Sequence, residues 1–355
     1  MVEKIESDIL IEGEGITAVS LAYFISERNP EKSINLVLGE PQGLNMSHFN
    51  PGIILPIFSL PDSLMNKVFQ RNKSILEELN SITKDFELFK NPLILLYRGK
   101  NSIEKMKTHQ EKLVESSIKH RNLSLEEIES YYPFIKTENE IHLTEVYNSY
   151  TCSYPFDLYT SFQKLAEEND VYIVKEKEQM KLKKQRTISS STADYVGREI
   201  TLTTSIYDQI QSEKRVSNLV KLTTPIFERF PKISVFDALT ASFMWLEDAG
   251  YFHIFRSSEK KRESLDNVES SFGEIFAFSG KLEIMDAIFK KVYTVESIAN
   301  SLNYIQERDI YSLNIPTHLE LSISPFVSNK ISKLNIGEME IFKQPKALFK
   351  LLERK

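Results

Sequence analysis

The sequence predicts an α/β fold in which a parallel-sheet domain is interleaved with an antiparallel-sheet domain. Three observations carry that expectation. An apolar run, Ile9-Leu10-Ile11, leads straight into Gly13-x-Gly15-x-x-Ala18, and Ile16, Val19, Ala22, Phe24 and Ile25 then supply one side of a helix. A second apolar strand, Ile34-Asn35-Leu36-Val37-Leu38, returns after Pro30. Strand patterns at 171–174 and 200–204 belong with this first unit, whereas those at 86–97, 140–147 and 243–256 suit a separate antiparallel sheet. The chain must therefore pass between two sheets more than once.

The glycine turn has a mechanism. Gly13 permits the tight exit from the strand, Gly15 lets the backbone approach a ligand without a Cβ in the way, and Ala18 keeps the helix close to the sheet. Strand, turn and helix in that order set a diphosphate on a helix N-terminus, so the unit reads as Rossmann-like and its ligand as a dinucleotide. An acid after the second strand holds ribose hydroxyls in such units, which makes Glu40, following Gly39, the candidate. Glu12 and Glu14 stand inside the motif. Two unit charges 4 Å apart repel by about 1 kcal/mol in water and about 4 kcal/mol at an effective dielectric near 20, so one carboxylate aimed at the diphosphate costs about one to three decades in affinity.

Composition narrows the class. The chain has 355 residues, 41% of them apolar, enough for one large or two ordinary domains with a real core. No stretch approaches the roughly 20 apolar residues of a membrane span. The opening Met-Val-Glu-Lys-Ile-Glu lacks a secretory pattern, so the expected location is cytoplasmic. One cysteine, Cys152, leaves no disulfide framework or cysteine-rich metal site, and no histidine pair has ligand spacing, so no metal is expected. A net charge of −6 without a basic stripe argues against nucleic acid. Eleven glycines are few for a dinucleotide enzyme of this length.

The remaining elements follow in order. Leu64, Val68, Ile75, Leu76 and Leu79 predict a helix over 62–82, and 101–120 is a charged amphipathic helix. Ser124-Leu-Glu-Glu127 has capping-box spacing, and Tyr132-Pro133 ends the helix it starts. Residues 155–169 read as a helix, and 175–199 as a hairpin or loop. Phe243-Met-Trp245 and Tyr251-Phe-His-Ile-Phe255 read as two strands joined across Asp248-Ala-Gly250. A helix is expected over roughly 281–303, and a last core helix over Val327 to Leu334.

Taken together, these pieces resemble the FAD-dependent D-amino-acid oxidase family, which includes glycine oxidase and sarcosine oxidase. The opening Asp8-Ile-Leu-Ile-x-Gly-x-Gly-Ile-x-Ala, the loop Ser47-x-x-Asn50-x-Gly52, the segment Leu123 to Ile128 before Tyr132-Pro133, Tyr154-Pro155-x-x-Leu158, and Ser324-Pro325-x-x-Ser328 follow the family's order. The resemblance implies an FAD-binding domain from 1–84, 150–232 and 310–355, and a substrate domain from 85–149 and 233–309. It implies FAD held by Gly13, Gly15, Ala18, Glu40, Ser47, Asn50, Gly52 and the backbone of Met180. It also implies oxidation of the C–N bond of an amino acid or amine, with His48 near the ring and Arg256 as the candidate clamp on a substrate carboxylate.

The departures motivate an alternative. Glu12 replaces a small or apolar residue, Ser205 replaces a glycine of the family's Ala-Thr-Gly turn, and His318-Leu-Glu-Leu-Ser-Ile323 contains none of the glycines that lie against the flavin. A relative that binds FAD weakly or not at all, and serves as a binding or partner module, fits them.

Overall fold

A computed structural model describes residues 3–39, 50–137, 141–152, 155–177, 180–205, 214–225, 233–240, 242–246, 251–258, 270, 272–277, 286–295 and 297–354. The first sheet has a parallel centre in the order β19 (Ile310–Leu313), β12 (Ala193–Thr203), β1 (Glu3–Gly13), β2 (Ile34–Gly39) and β9 (Tyr172–Glu176). β10 (Lys181–Leu182) and β11 (Thr187–Ser189) extend it antiparallel along the first half of β12, and β18 (Leu302–Ile305) pairs with β19. β1 sits at the centre because Ile9, Leu10 and Ile11 are all buried, as a strand covered on both faces requires. Ile9 and Ile11 join the core under the helices; Leu10 points the other way, into a cluster with Val37, Met180, Leu182, Ile188 and Tyr195.

On the helical face, α1 (Gly15–Arg28) lies between α5 (Pro155–Glu168) and α6 (Glu320–Ile331). Tyr23 and Phe24 of α1 meet Phe162 of α5 with ring centroids 5.8 and 6.0 Å apart. The α1–α6 seam is polar and narrow. Thr17 and Ser324 hydroxyls are 2.8 Å apart, Ser20 and Ser328 2.8 Å, and Arg28 Nε donates to Ser332 Oγ at 3.1 Å. Residue numbers rise together along the seam, so the helices are parallel and present their N-termini side by side.

The second sheet runs β17 (Asp286–Val295), β13 (Lys214–Pro225), β16 (Tyr251–Ser258), β15 (Ser242–Leu246), β14 (Ser234–Asp237), β5 (Leu93–Tyr97), β7 (His142–Val146), β6 (His120–Asn122). All neighbours are antiparallel except β14 and β5. A small third sheet joins β3 (Ile53–Ile54), β8 (Tyr150–Cys152) and β4 (Leu88–Lys90). Helices α2 (Asp62–Thr83) and α4 (Leu125–Tyr131) fall where their patterns put them, α3 (Ser102–Glu115) fills only the first part of its expected 101–120 because His120 already belongs to β6, and the Ser124–Glu127 capping box is formed. A short α7 (Ala347–Glu353) closes the chain against α6 and α2.

Three expectations change. The helix expected over 281–303 is instead β17, a 3₁₀ turn at Ile298–Asn300 and β18. Its β-branched and aromatic residues pair along β13 from Asp286↔Thr223 to Val295↔Lys214. The last core helix starts at Glu320 rather than Val327. β13 joins the second sheet and β18 the first, so the crossings fall near residues 205 and 300, not 232 and 309. None of the described helices is long and apolar enough to cross a membrane.

Candidate functional site

The C-terminal end of β1 delivers the chain to the α1 N-terminus, where α/β sheets bind ligands. Gly13 has φ 153° and Gly15 φ 81°, so the turn keeps the backbone that its glycines were expected to provide. The space before each glycine holds protein. A Cβ on Gly13 would overlap Thr204 Oγ1, which is buried and makes no hydrogen bond among the described residues. A Cβ on Gly15 would stand 2.8 and 3.0 Å from the two carboxylate oxygens of Glu320.

Glu320 is the first residue of α6 and only 4% exposed. Its Oε1 accepts from Thr17 Oγ1 at 3.0 Å, while Oε2 is buried without a hydrogen-bond partner among the described residues. Burial pushes its pKa up from 4.5 to about 8; the Thr17 hydroxyl pulls it down, the Glu14 charge pushes it up, and the amides of Thr17 and Ile16 pull it down. A side-chain carboxyl thus lies on the amides that would cradle a diphosphate. Nothing in the local sequence marks Glu320; its only signal is the missing glycine loop, and Thr204 has none.

Glu12 faces elsewhere. It is 2% exposed, and Thr203 Oγ1 and Ser205 Oγ donate to its two oxygens at 2.6 and 3.0 Å. Its Oε1 lies 3.9 Å from where a Gly39 Cβ would stand. The segment expected to carry an Ala-Thr-Gly turn therefore supplies hydroxyls that make a buried acid tolerable. With the Glu320 carboxyl before Gly15, the residues in this arrangement do not fit a diphosphate.

The other expected residues scatter. Ala18 is fully buried in α1. Asn50 Oδ1 accepts from Gly52 N at 2.9 Å, and Gly52, with φ 69°, lies so close to β8 that a Cβ would overlap the Cys152 carbonyl. Met180 packs in the cluster behind β1, with its Cγ 3.9 Å from the Gly39 Cβ position. Glu40, Ser47 and His48 lie outside the described residues. Arg256 stands on β16 on the face shared with Ile254 and Met244, whereas Phe255 and Phe243 take the opposite face, toward the first sheet.

That opposite face borders a cleft of about 210 Å³ beside the second sheet. Leu55, Ile57, Phe58, Phe236, Phe243 and Leu319 supply most of its walls; His109 and His318 are its titratable groups. His109 stacks on Phe58 at 4.0 Å and its Nδ1 is hydrogen-bonded to Tyr97 Oη at 3.0 Å. Burial, helped by Lys105 and Lys112, lowers its pKa to about 4. Burial also lowers His318 to about 4, and its ring lies 5.9 Å from Phe243. Both imidazoles are neutral at physiological pH. The described walls carry no lysine, arginine, aspartate or glutamate. Nor is any group of three His, Cys, Asp or Glu placed to share a metal among the described residues.

No protein-family model matches the chain, and no curated protein matches it. Solved structures do. L-proline dehydrogenase from P. horikoshii is similar over 100% of both chains, with 14% identity and a TM-score of 0.75. Glycine oxidase from Geobacillus kaustophilus is similar over 96% of each chain, with 12% identity and a TM-score of 0.75. The chain has the amino-acid oxidase fold. Iminodiacetate oxidase from a Chelativorans species is similar too, over 93% of this chain and 95% of its own, with 11% identity and a TM-score of 0.73.

Proposed function

We propose that this chain is a small-molecule-binding protein that uses the amino-acid oxidase fold without a resident flavin. The observation that carries the reading is the closed cradle: the Glu320 carboxyl stands before Gly15 and takes the Thr17 hydroxyl. The ligand class follows from the cleft. Apolar walls and two neutral imidazoles suit an uncharged, largely apolar molecule that takes one or two hydrogen bonds. A zwitterionic amino acid would leave both of its charges unpaired there, at a cost of several kcal/mol.

A second reading rests on the full-length likeness to proline dehydrogenase and glycine oxidase structures and on the retained φ of Gly13 and Gly15. It is an FAD-dependent oxidoreductase acting on the C–N bond of an amino acid or amine. Gly13, Gly15, Ala18, Glu40, Ser47, Asn50, Gly52 and Met180 would then hold the cofactor, with His48 and Arg256 toward the substrate. It requires the Glu320 side chain to leave its place.

Purification decides between them. The first reading expects a colourless protein that stays colourless after incubation with excess FAD and desalting. It also expects indole and phenol, but not glycine or L-proline, to raise the melting temperature. A yellow protein, with flavin absorption bands that bleach on adding an amino acid, supports the second reading and removes the first.

A further inference from the structure

The geometry points to the α1 N-terminus as a latent nucleoside-diphosphate site that the chain closes in cis with the Glu320 side chain. The inference rests on the reading that no flavin is resident, and adds what keeps one out and what would enter in its place.

Three independent features meet at this spot. The first is the turn itself: Gly15 takes φ 81°, a backbone that favours glycine, and the atoms nearest its Cβ position are the end of a flexible carboxylate rather than fixed backbone. Close backbone approach of that kind suits an anion. The second is the occupant. Glu320 Oε1 takes the Thr17 hydroxyl at 3.0 Å, and Oε2 is buried and unpartnered among the described residues. A buried carboxyl with one unsatisfied oxygen is costly, and it fills fewer of the available donors than a diphosphate would. The third is the seat. The Thr17–Ser324 and Ser20–Ser328 pairs, each 2.8 Å apart, lock α6 against α1 in parallel register and place residue 320 over the first turn of α1. Position 320 is thus where a side chain must enter the cradle, and a residue without one would leave it open.

The test titrates ADP into the purified full chain and into Glu320→Gly and Glu320→Ala, by calorimetry at pH 7.5. The parent is expected to bind ADP at least tenfold more weakly than either variant. Folded variants with no gain over a colourless parent overturn the inference and leave the flavin-free reading standing. If the variants fail to fold, a parent that binds ADP in the micromolar range overturns it alone. A parent purified with FAD in place overturns the flavin-free reading first, and this inference with it.

Discussion

At the scale of single residues, the decisive chemistry is the contrast between two buried acids. Glu12 is satisfied by the Thr203 and Ser205 hydroxyls; Glu320 has one satisfied oxygen and, among the described residues, one orphan. The orphan has a consequence for stability. Burial holds the folded-state pKa of Glu320 near 8, against an ordinary 4.5. Between those values the folded chain keeps a proton that the unfolded chain has given up, so stability falls as pH rises through the window and is flat outside it. At about 1.4 kcal/mol per pKa unit the loss reaches up to ~5 kcal/mol. Glu320→Gln removes the titrating group, so urea unfolding at pH 5, 7 and 9 should show the parent losing stability steadily relative to the variant. Parallel curves would mean that Glu320 is solvated.

The same two residues show what was legible at this scale. Glu12 and Glu14 announce themselves because they interrupt a glycine motif. Glu320 lies 303 residues from Thr17, its hydroxyl partner, and no local pattern can link them. The sequence registers only the lack of glycine in His318 to Ile323, not which side chain fills the gap.

At the scale of elements, α6 is held in place by a repair. Pro325 lies inside the helix and has no N–H for the Leu321 carbonyl. Asn72 of α2, fully buried, supplies it: Nδ2 donates to Leu321 O at 2.7 Å, and Oδ1 accepts from Phe326 N at 3.2 Å. Asn72→Val strands both backbone groups, at about 1–3 kcal/mol each. Pro325→Ala returns an amide four residues after Leu321, so in a double-mutant cycle by urea unfolding it should recover part of the Asn72→Val loss. Additive losses would show that the two residues act separately. Parallel strands and capped helices were legible because their periods are local. Residues 286–295 were not: Ile288, Phe289, Val292 and Tyr293 recur at spacings that suit a helix face as well as a strand. The alignment with β13, some 70 residues earlier in the chain, decides for the strand.

At the scale of the whole molecule, the cleft is assembled where distant segments meet the second sheet. Its walls come from the segment after β3, from α3, from β14 and β15 and from the turn before α6, so no single stretch of sequence outlines it. The amino-acid oxidase fold was readable because element order survives divergence, whereas the cleft depends on which side chains five distant segments turn inward. Those side chains make a pH prediction. His109 and His318 titrate near 4, so both rings stay neutral from pH 5 to pH 8. Binding of an uncharged probe such as indole should be unchanged across that range. Below about pH 4 each ring gains a proton inside apolar walls, and affinity should drop at least tenfold because the ligand must share the space with two cations. Thermal-shift titrations at pH 4, 5, 6 and 8 read this directly, with unfolding in the absence of probe recorded at each pH. A tenfold change between pH 6 and pH 7 would mean that at least one imidazole is solvated, and with it would go the case for an uncharged ligand.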